Sequence, residues 1–236
     1  MMVLQTQGVT KTFGSGASAV AALRGVDLVI PKGEFLAIMG PSGCGKSTLL
    51  HLLGGIERPS SGEVLLEGQN MGDLDDTARS ILRRRRIGFV FQKINLLPTL
   101  SAVDNVALPL RLDGVSRRDA LPRAMDALER AGISHRAEHR PNDMSGGEAQ
   151  RVAIARALVI QPAVILGDEP TGALDSDTGK RIVDMFRQLS EEHQQTIVLV
   201  THDSTVAAAA DRMIRMRDGA VVEEKLQGAA TAGGRA

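Results

Sequence analysis

The octapeptide Gly40-Pro41-Ser42-Gly43-Cys44-Gly45-Lys46-Ser47 constrains this chain more than any other feature. It satisfies the pattern G-x-x-x-x-G-K-[ST], follows the apolar run Phe35-Leu36-Ala37-Ile38-Met39, and leads into a helical pattern over residues 46–53. Glycines here let successive backbone N–H groups curl around phosphate oxygens, an approach a Cβ would obstruct. The helix starting at Gly45 and Lys46 turns its positive dipole end toward the same anion. Lys46 is therefore expected to reach the β- and γ-phosphates of a nucleotide and Ser47 to ligate Mg²⁺, with Thr48 beside them. Strand, glycine loop and helix together open a nucleotide-binding α/β unit, and that is the fold class expected.

The rest of the chain fits around this unit. From residue 3 to about residue 30, short apolar and polar runs split by Gly14-Ser15-Gly16 predict an antiparallel edge sheet. Residues 62–67, 87–91, 164–166 and 196–200 read as further strands, and 177–191 as a helix. Between residues 93 and 160 the pattern turns helical, over 120–131 and 147–158, with breaks expected at Pro109, Pro122 and Pro141. The expectation is one domain over 1–226: an α/β P-loop NTPase (RecA-like) core lobe, an antiparallel β subdomain, and an α-helical lobe inserted near 93–160. The Gly/Ala-rich tail, 227–236, is expected to be disordered.

Composition narrows the partners. The 28 basic and 28 acidic residues cancel, which argues against nucleic acid, since phosphate-backbone binding rests on surplus Lys and Arg. With five Phe, no Trp and no Tyr, stacking platforms for single-stranded nucleic acid are lacking as well. Cys44 is the single cysteine, so no intrachain disulfide can form and a reducing compartment is the natural reading. The N-terminal residues carry no secretory signal pattern, and no run of apolar residues is long enough to span a bilayer. Any service to a membrane is expected from the cytoplasmic side, through a partner.

Val164-Ile165-Leu166-Gly167-Asp168-Glu169 is an apolar strand ending in two carboxylates. Phosphoryl transfer needs a metal-holding acid beside a residue that orients or deprotonates water; Asp168 suits the first task and Glu169 the second. Alone, such a pair is more often a loop start or a helix cap. Joined to a phosphate loop, the catalytic reading is preferred.

Further motifs resemble one family, the ABC ATPases. Met144-Ser145-Gly146-Gly147-Glu148-Ala149-Gln150-Arg151 resembles the ABC signature and lies between phosphate loop and acidic strand. Gln92 matches the Q-loop, Gly172-Ala173-Leu174-Asp175 the D-loop, His202 the switch histidine, and Phe13 the A-loop aromatic that stacks on adenine. The resemblance implies ATP and Mg²⁺ as ligands, with Ser47, Asp168 and Gln92 on the metal. Glu169, His202 and Lys46 would be catalytic, and His202 would contact the γ-phosphate and the attacking water. It further implies a head-to-tail homodimer in the ATP-bound state, in which the signature Ser145, Gly146 and Gly147 close on the partner copy's γ-phosphate and Asp175 links the two sites. As a bare pattern, Ser-Gly-Gly opening a helix is an N-capped helix with free N–H groups, suited to an anion. Taken singly, His202 is as readily a hydrogen-bonded strand-end histidine, Gln92 a loop residue and Phe13 a core filler.

His51-Leu52-Leu53-Gly54-Gly55, the run Phe89-Val90-Phe91-Gln92 leading into Leu96-Leu97-Pro98, and Asp168 through Asp175 resemble the MacB/LolD subgroup. That implies an ATP-hydrolysing subunit, peripheral on the inner face of the membrane, which powers a separate permease for lipoprotein, peptide, lipid or drug-like substrates without touching them. A soluble-partner ABC ATPase, of the iron–sulfur assembly or cell-division kind, is the alternative; the stretch from Lys46 to Asp168 is too short for a coiled-coil insertion of the DNA-repair type. Met144, Glu148 and Gly167 depart from the commonest Leu, Gln and Ala, and none removes an essential donor or charge. Arg83 to Arg86 read as a solvated helix end, and His135 and His139 lack a third ligand. A thiol reagent at Cys44 is expected to block nucleotide binding unless ATP is bound first.

Overall fold

The computed structural model describes residues 1–227. β1 (Met2–Phe13) and β2 (Val20–Pro31) form an antiparallel hairpin, followed by β3 (Phe35–Met39) and α1 (Lys46–Leu53). β4 (Ser61–Leu66), β5 (Gln69–Asn70), α2 (Asp76–Arg86) and β6 (Ile87–Phe91) come next. Three helices then run in succession: α3 (Ala102–Leu112), α4 (Arg117–Arg130) and α5 (Gly146–Leu158). The chain returns through β7 (Val164–Asp168), α6 (Ser176–His193), β8 (Thr196–Val200) and α7 (Ser204–Ala209), and closes with the hairpin β9 (Arg212–Arg217) and β10 (Ala220–Leu226).

The strands divide into two sheets, ordered β2-β1-β4-β5 and β10-β9-β3-β8-β7-β6. In the second, β9, β3, β8, β7 and β6 are parallel, and only β10 runs against its neighbour. Period-two alternation splits the core. Leu36 and Ile38 pack with the leucines of α1 and with Leu4, Val26 and Ile30 of the first sheet. Phe35 and Ala37 face the other way, toward the cluster shared by α3 to α7. α1 is thus clasped between the sheets, and its N-terminal end is fixed by packing all along its short length.

Two expected breaks do not occur: Pro109 lies inside α3 and Pro122 inside α4. Each removes one N–H donor from the helix, at a cost of about 3 kcal/mol in an isolated segment. Burial of Val103, Val106 and Leu110 on α3, and of Ala120, Ala124 and Leu128 on α4, holds the helices through them. Pro141 does open a separate 3-10 turn. Gln227 is the last described residue, and the rest of the expected tail, 228–236, lies outside the described residues.

Candidate active site

Register brings the site together. Ile38 pairs with Val200, Val200 with Asp168, and Asp168 with Phe91, so β3, β8, β7 and β6 end side by side. Whatever follows those ends, namely the phosphate loop, Thr201-His202, Glu169 and Gln92, lines one edge of the sheet. In open parallel sheets that carboxyl edge is where ligands bind.

The phosphate loop is strained in the way its glycines predict. Gly40, Gly43 and Gly45 have φ of 149°, 79° and 103°. A Cβ on Gly40 would lie 2.3 Å from the Met216 carbonyl oxygen, and one on Gly45 would lie 2.5 Å from that of Ala22. Ala22 is the extra residue where β2 slips in register against β1, between partners Ala21 and Leu23, and this bulge turns its carbonyl toward the loop. The turn of the last hairpin closes the other side: Gly219 N–H donates to the Cys44 carbonyl at 3.1 Å, and Arg24 N–H to that of Gly219 at 2.9 Å. Lys46 is buried, and its ammonium donates to the Gly40 and Pro41 carbonyls at 2.9 and 3.0 Å. Beside it a cleft of about 340 Å³ is lined by Val20, Ala22, Gly45, Lys46, Thr48 and Asp218. Pro41, Ser42 and Gly43 are exposed along the rim.

The acids meet this loop directly. Ser47 Oγ donates to Asp168 Oδ1 at 3.1 Å, which joins two hard oxygen donors of the kind Mg²⁺ prefers. Glu169 has φ 47°, a left-handed conformation that costs a non-glycine residue about 1 kcal/mol or more. Two bonds hold it there: its N–H donates to Val200 O at 2.9 Å, and its carbonyl accepts from Gly172 N–H at 3.0 Å. The result aims its carboxylate at His202, whose Nδ1 lies 3.1 Å from Glu169 Oε2. A Cβ on Gly172 would sit 2.9 Å from Gln92 Nε2 and 3.3 Å from Glu169 Oε2, so the Gln92 amide and the Glu169 carboxylate share one small space. A cleft of about 450 Å³ beside them is lined by Glu169, Gly172, Asp175, Lys180, His202 and Asp203.

Ser145, Gly146 and Gly147 stand apart from this group. Ser145 caps α5 in a reciprocal capping box: its Oγ accepts from Glu148 N–H, and its own N–H donates to the Glu148 carboxylate at 2.8 Å. Arg136 donates to the same carboxylate at 2.8 Å. The Ser145 hydrogen bonds, then the Arg136 guanidinium, lower the Glu148 pKa to about 2. The departure to Glu at 148 thus adds a fixed charge to the cap. A Cβ on Gly147 would lie 2.4 Å from Thr178 Cγ2, so this glycine also serves the packing of α5 on α6. Asp175 is the N-cap of α6 and accepts from Thr178 N–H at 2.9 Å, which together with further local N–H groups lowers its pKa.

Phe13 ends β1 opposite Val20, which lines the phosphate-loop cleft, and the residue is 42% exposed. It fills no core. Cys44 is buried among core residues, so a thiol reagent reaches it only when the loop opens. Ala22, Met216 and Gly219 brace the loop although they belong to none of the sequence motifs. The signal for Gly219 was its place after Asp218 in an Asp-Gly turn between two alternating runs; the Ala22 bulge left none.

Residues 23–172 match the family described as ABC transporter. The chain is 47% identical over 234 residues to the ABC transporter ATP-binding protein MJ0796 of Methanocaldococcus jannaschii, covering 96% of this chain and 98% of that one. It is 45% identical to the lipoprotein-releasing system ATP-binding protein LolD of Psychrobacter arcticus, over 92% of this chain and 96% of the other. It is also 46% identical to the macrolide export ATP-binding/permease protein MacB of Rhodopirellula baltica, over 97% of this chain but only 34% of that larger protein. Among solved structures, the dimeric post-hydrolysis state of MJ0796 bound to ADP and Pi superposes with a TM-score of 0.86 at 44% identity, covering 96% of this chain and 99% of the other.

Proposed function

The chain belongs to the ABC transporter ATP-binding family, and on that premise we propose that it is the ATP-hydrolysing subunit of a transporter of the lipoprotein-releasing and macrolide-exporting type, working as a homodimer on the cytoplasmic side of a membrane permease. The observation that carries the reading is the convergence of Ser47, Asp168, Glu169 and His202 at the ends of adjacent parallel strands, joined by contacts of 3.1 Å.

Each residue has a task that its position supports. The backbone of Gly40 to Ser47 cradles the β- and γ-phosphates, and Lys46 exchanges its loop carbonyls for phosphate oxygens. Ser47, Asp168 and Gln92 would hold Mg²⁺, which would neutralise charge on the phosphates. Glu169 accepts the hydrogen bond of the attacking water and polarises it, and His202, tethered to Glu169, keeps that water in line. The Ser145 hydroxyl and the N–H groups of Gly146 and Gly147 close over the γ-phosphate bound by the other copy, with Asp175 between the two sites. Such a division of labour fits a Ser145 turn whose own bonds stay within α5.

A permease partner is supported by the named relatives and by an open, mainly apolar groove of about 440 Å³ between the strand β6 and α3, lined by Phe89, Phe91, Leu108, Leu112 and Ile160. It adjoins the loop after Gln92, whose Ile94 and Asn95 carbonyls Arg156 anchors from α5 at 3.0 and 2.7 Å. Among the described residues no helix is long and apolar enough to cross a membrane. Substrate contact then falls to the permease, with no nucleic acid involved.

The test is Glu169→Gln. ATP binding should persist, phosphate release should drop at least a hundredfold (about 2.7 kcal/mol of barrier), and the dimer should accumulate with Mg-ATP in size-exclusion chromatography. Near-normal turnover would remove Glu169 from its role.

A further inference from the structure

Lys11 belongs to none of the roles above, yet it is one of the most tightly held ammonium groups in the structure. Its Nζ donates to Glu57 Oε2 at 2.9 Å and to the Arg58 carbonyl at 2.8 Å, and its side chain is only 13% exposed. The same Nζ lies 4.9 Å from the centroid of the Phe13 ring, on β1 two residues away and therefore on the same face of the strand. One face of Phe13 is covered by a cation held by two hydrogen bonds.

The anchor of that cation leads back to the phosphates. Glu57 follows α1, and its N–H and that of Ile56 both donate to the His51 carbonyl, at 3.3 and 2.9 Å. α1 begins at Lys46 in the phosphate loop and spans about 12 Å. One short helix, clasped between two sheets, thus carries the phosphate cradle at its start and the pin for Lys11 just past its end. Thr12 N–H, donating to Ser60 Oγ at 3.0 Å, ties the strand to the same loop.

We propose that Lys11 is a positioning residue for the nucleotide base. By occupying one face of Phe13 it fixes the ring plane and leaves the opposite face to stack on adenine, at a distance from the phosphates set by α1 and Glu57. The inference rests on the reading that Phe13 stacks on adenine. A ring held in place before binding loses less rotamer freedom on stacking, and an ammonium on one face draws electron density from the ring and favours a base on the other.

The test uses two non-hydrolysed probes, ADP and pyrophosphate, titrated calorimetrically into Phe13→Leu, Lys11→Met, Lys11→Arg and the double variant. Phe13→Leu should weaken ADP about tenfold, the scale of one base–aromatic stack. Lys11→Met should weaken ADP about threefold, leave pyrophosphate unchanged, add nothing in the Phe13→Leu background, and be rescued by Lys11→Arg. If Phe13→Leu leaves ADP affinity intact, the base platform lies elsewhere and both ideas fall. If Phe13→Leu acts but Lys11→Met does nothing, or weakens ADP and pyrophosphate alike, the positioning role alone is overturned. Should Lys11→Met not fold, Glu57→Leu removes the carboxylate half of the pin and must give an ADP-specific loss in the same direction.

Discussion

The Ser47 hydroxyl donates to the Asp168 carboxylate at 3.1 Å, although 121 positions separate them in the chain. Each side chain alone is a modest oxygen ligand; on the proposed function, the two together would offer neighbouring oxygens to Mg²⁺. Asp168→Asn should therefore leave nucleotide binding in EDTA unchanged and raise the Mg²⁺ concentration for half-maximal ATPase activity more than tenfold. Measuring ADP affinity with and without Mg²⁺ checks this, and an unchanged Mg²⁺ requirement contradicts it.

Glu148 ties the signature turn to Arg136, with its carboxyl pKa lowered to about 2 from the ordinary 4.5. A lowered folded-state pKa means stability that is present above pH 4.5 and lost as pH falls toward 2. Glu148→Gln can keep the capping box but not the charge. Its melting temperature should fall below the parent's at pH 7, and the gap should narrow as the pH drops through that window. A gap that is constant with pH would place the effect elsewhere.

At Gly167 an added Cβ would lie 2.4 Å from Cδ2 of the fully buried Leu199 on the neighbouring strand, so one of them must shift. Gly167→Ala should cost about 1–3 kcal/mol through overpacking, read as a lowered denaturant midpoint. Adding Leu199→Val, which removes the offending methyl, should recover part of that loss. Simple additivity of the two changes would disprove the clash.

Cys44 is 5% exposed and packs into the core beneath the phosphate loop. A maleimide should label it on the order of a hundredfold more slowly than a free thiol, since reaction waits on local opening worth a few kcal/mol. ADP should slow it further by closing the loop. Labelling at free-thiol rates in the folded protein would show that the loop is open in solution.

Much of this architecture was legible beforehand because its causes are local. Phe35 to Met39, Gly40 to Ser47 and the start of α1 follow from an apolar run, glycines that accept positive φ, and a helix nucleated by the loop. β6 and β8 were visible from their apolar runs alone. Helix ends were less so: α4 begins at Arg117 and α6 reaches His193, where side-chain caps and tertiary packing extend the pattern. Pro109 and Pro122 misled for the opposite reason, since a local rule about donors was overridden by burial.

The sequence by itself determined a glycine loop of the shape that suits a phosphate and the residues expected beside it, because glycine spacing and the order of the motifs are properties of the chain alone. Only the tertiary structure decided that Ser47 meets Asp168, that Glu169 meets His202, that Cys44 faces inward, and that Ala22 of β2 and Gly219 of the β9–β10 turn brace the loop. Those facts depend on which strands lie side by side and in what register, and register is set by the packing of both sheet faces at once, which no single segment encodes.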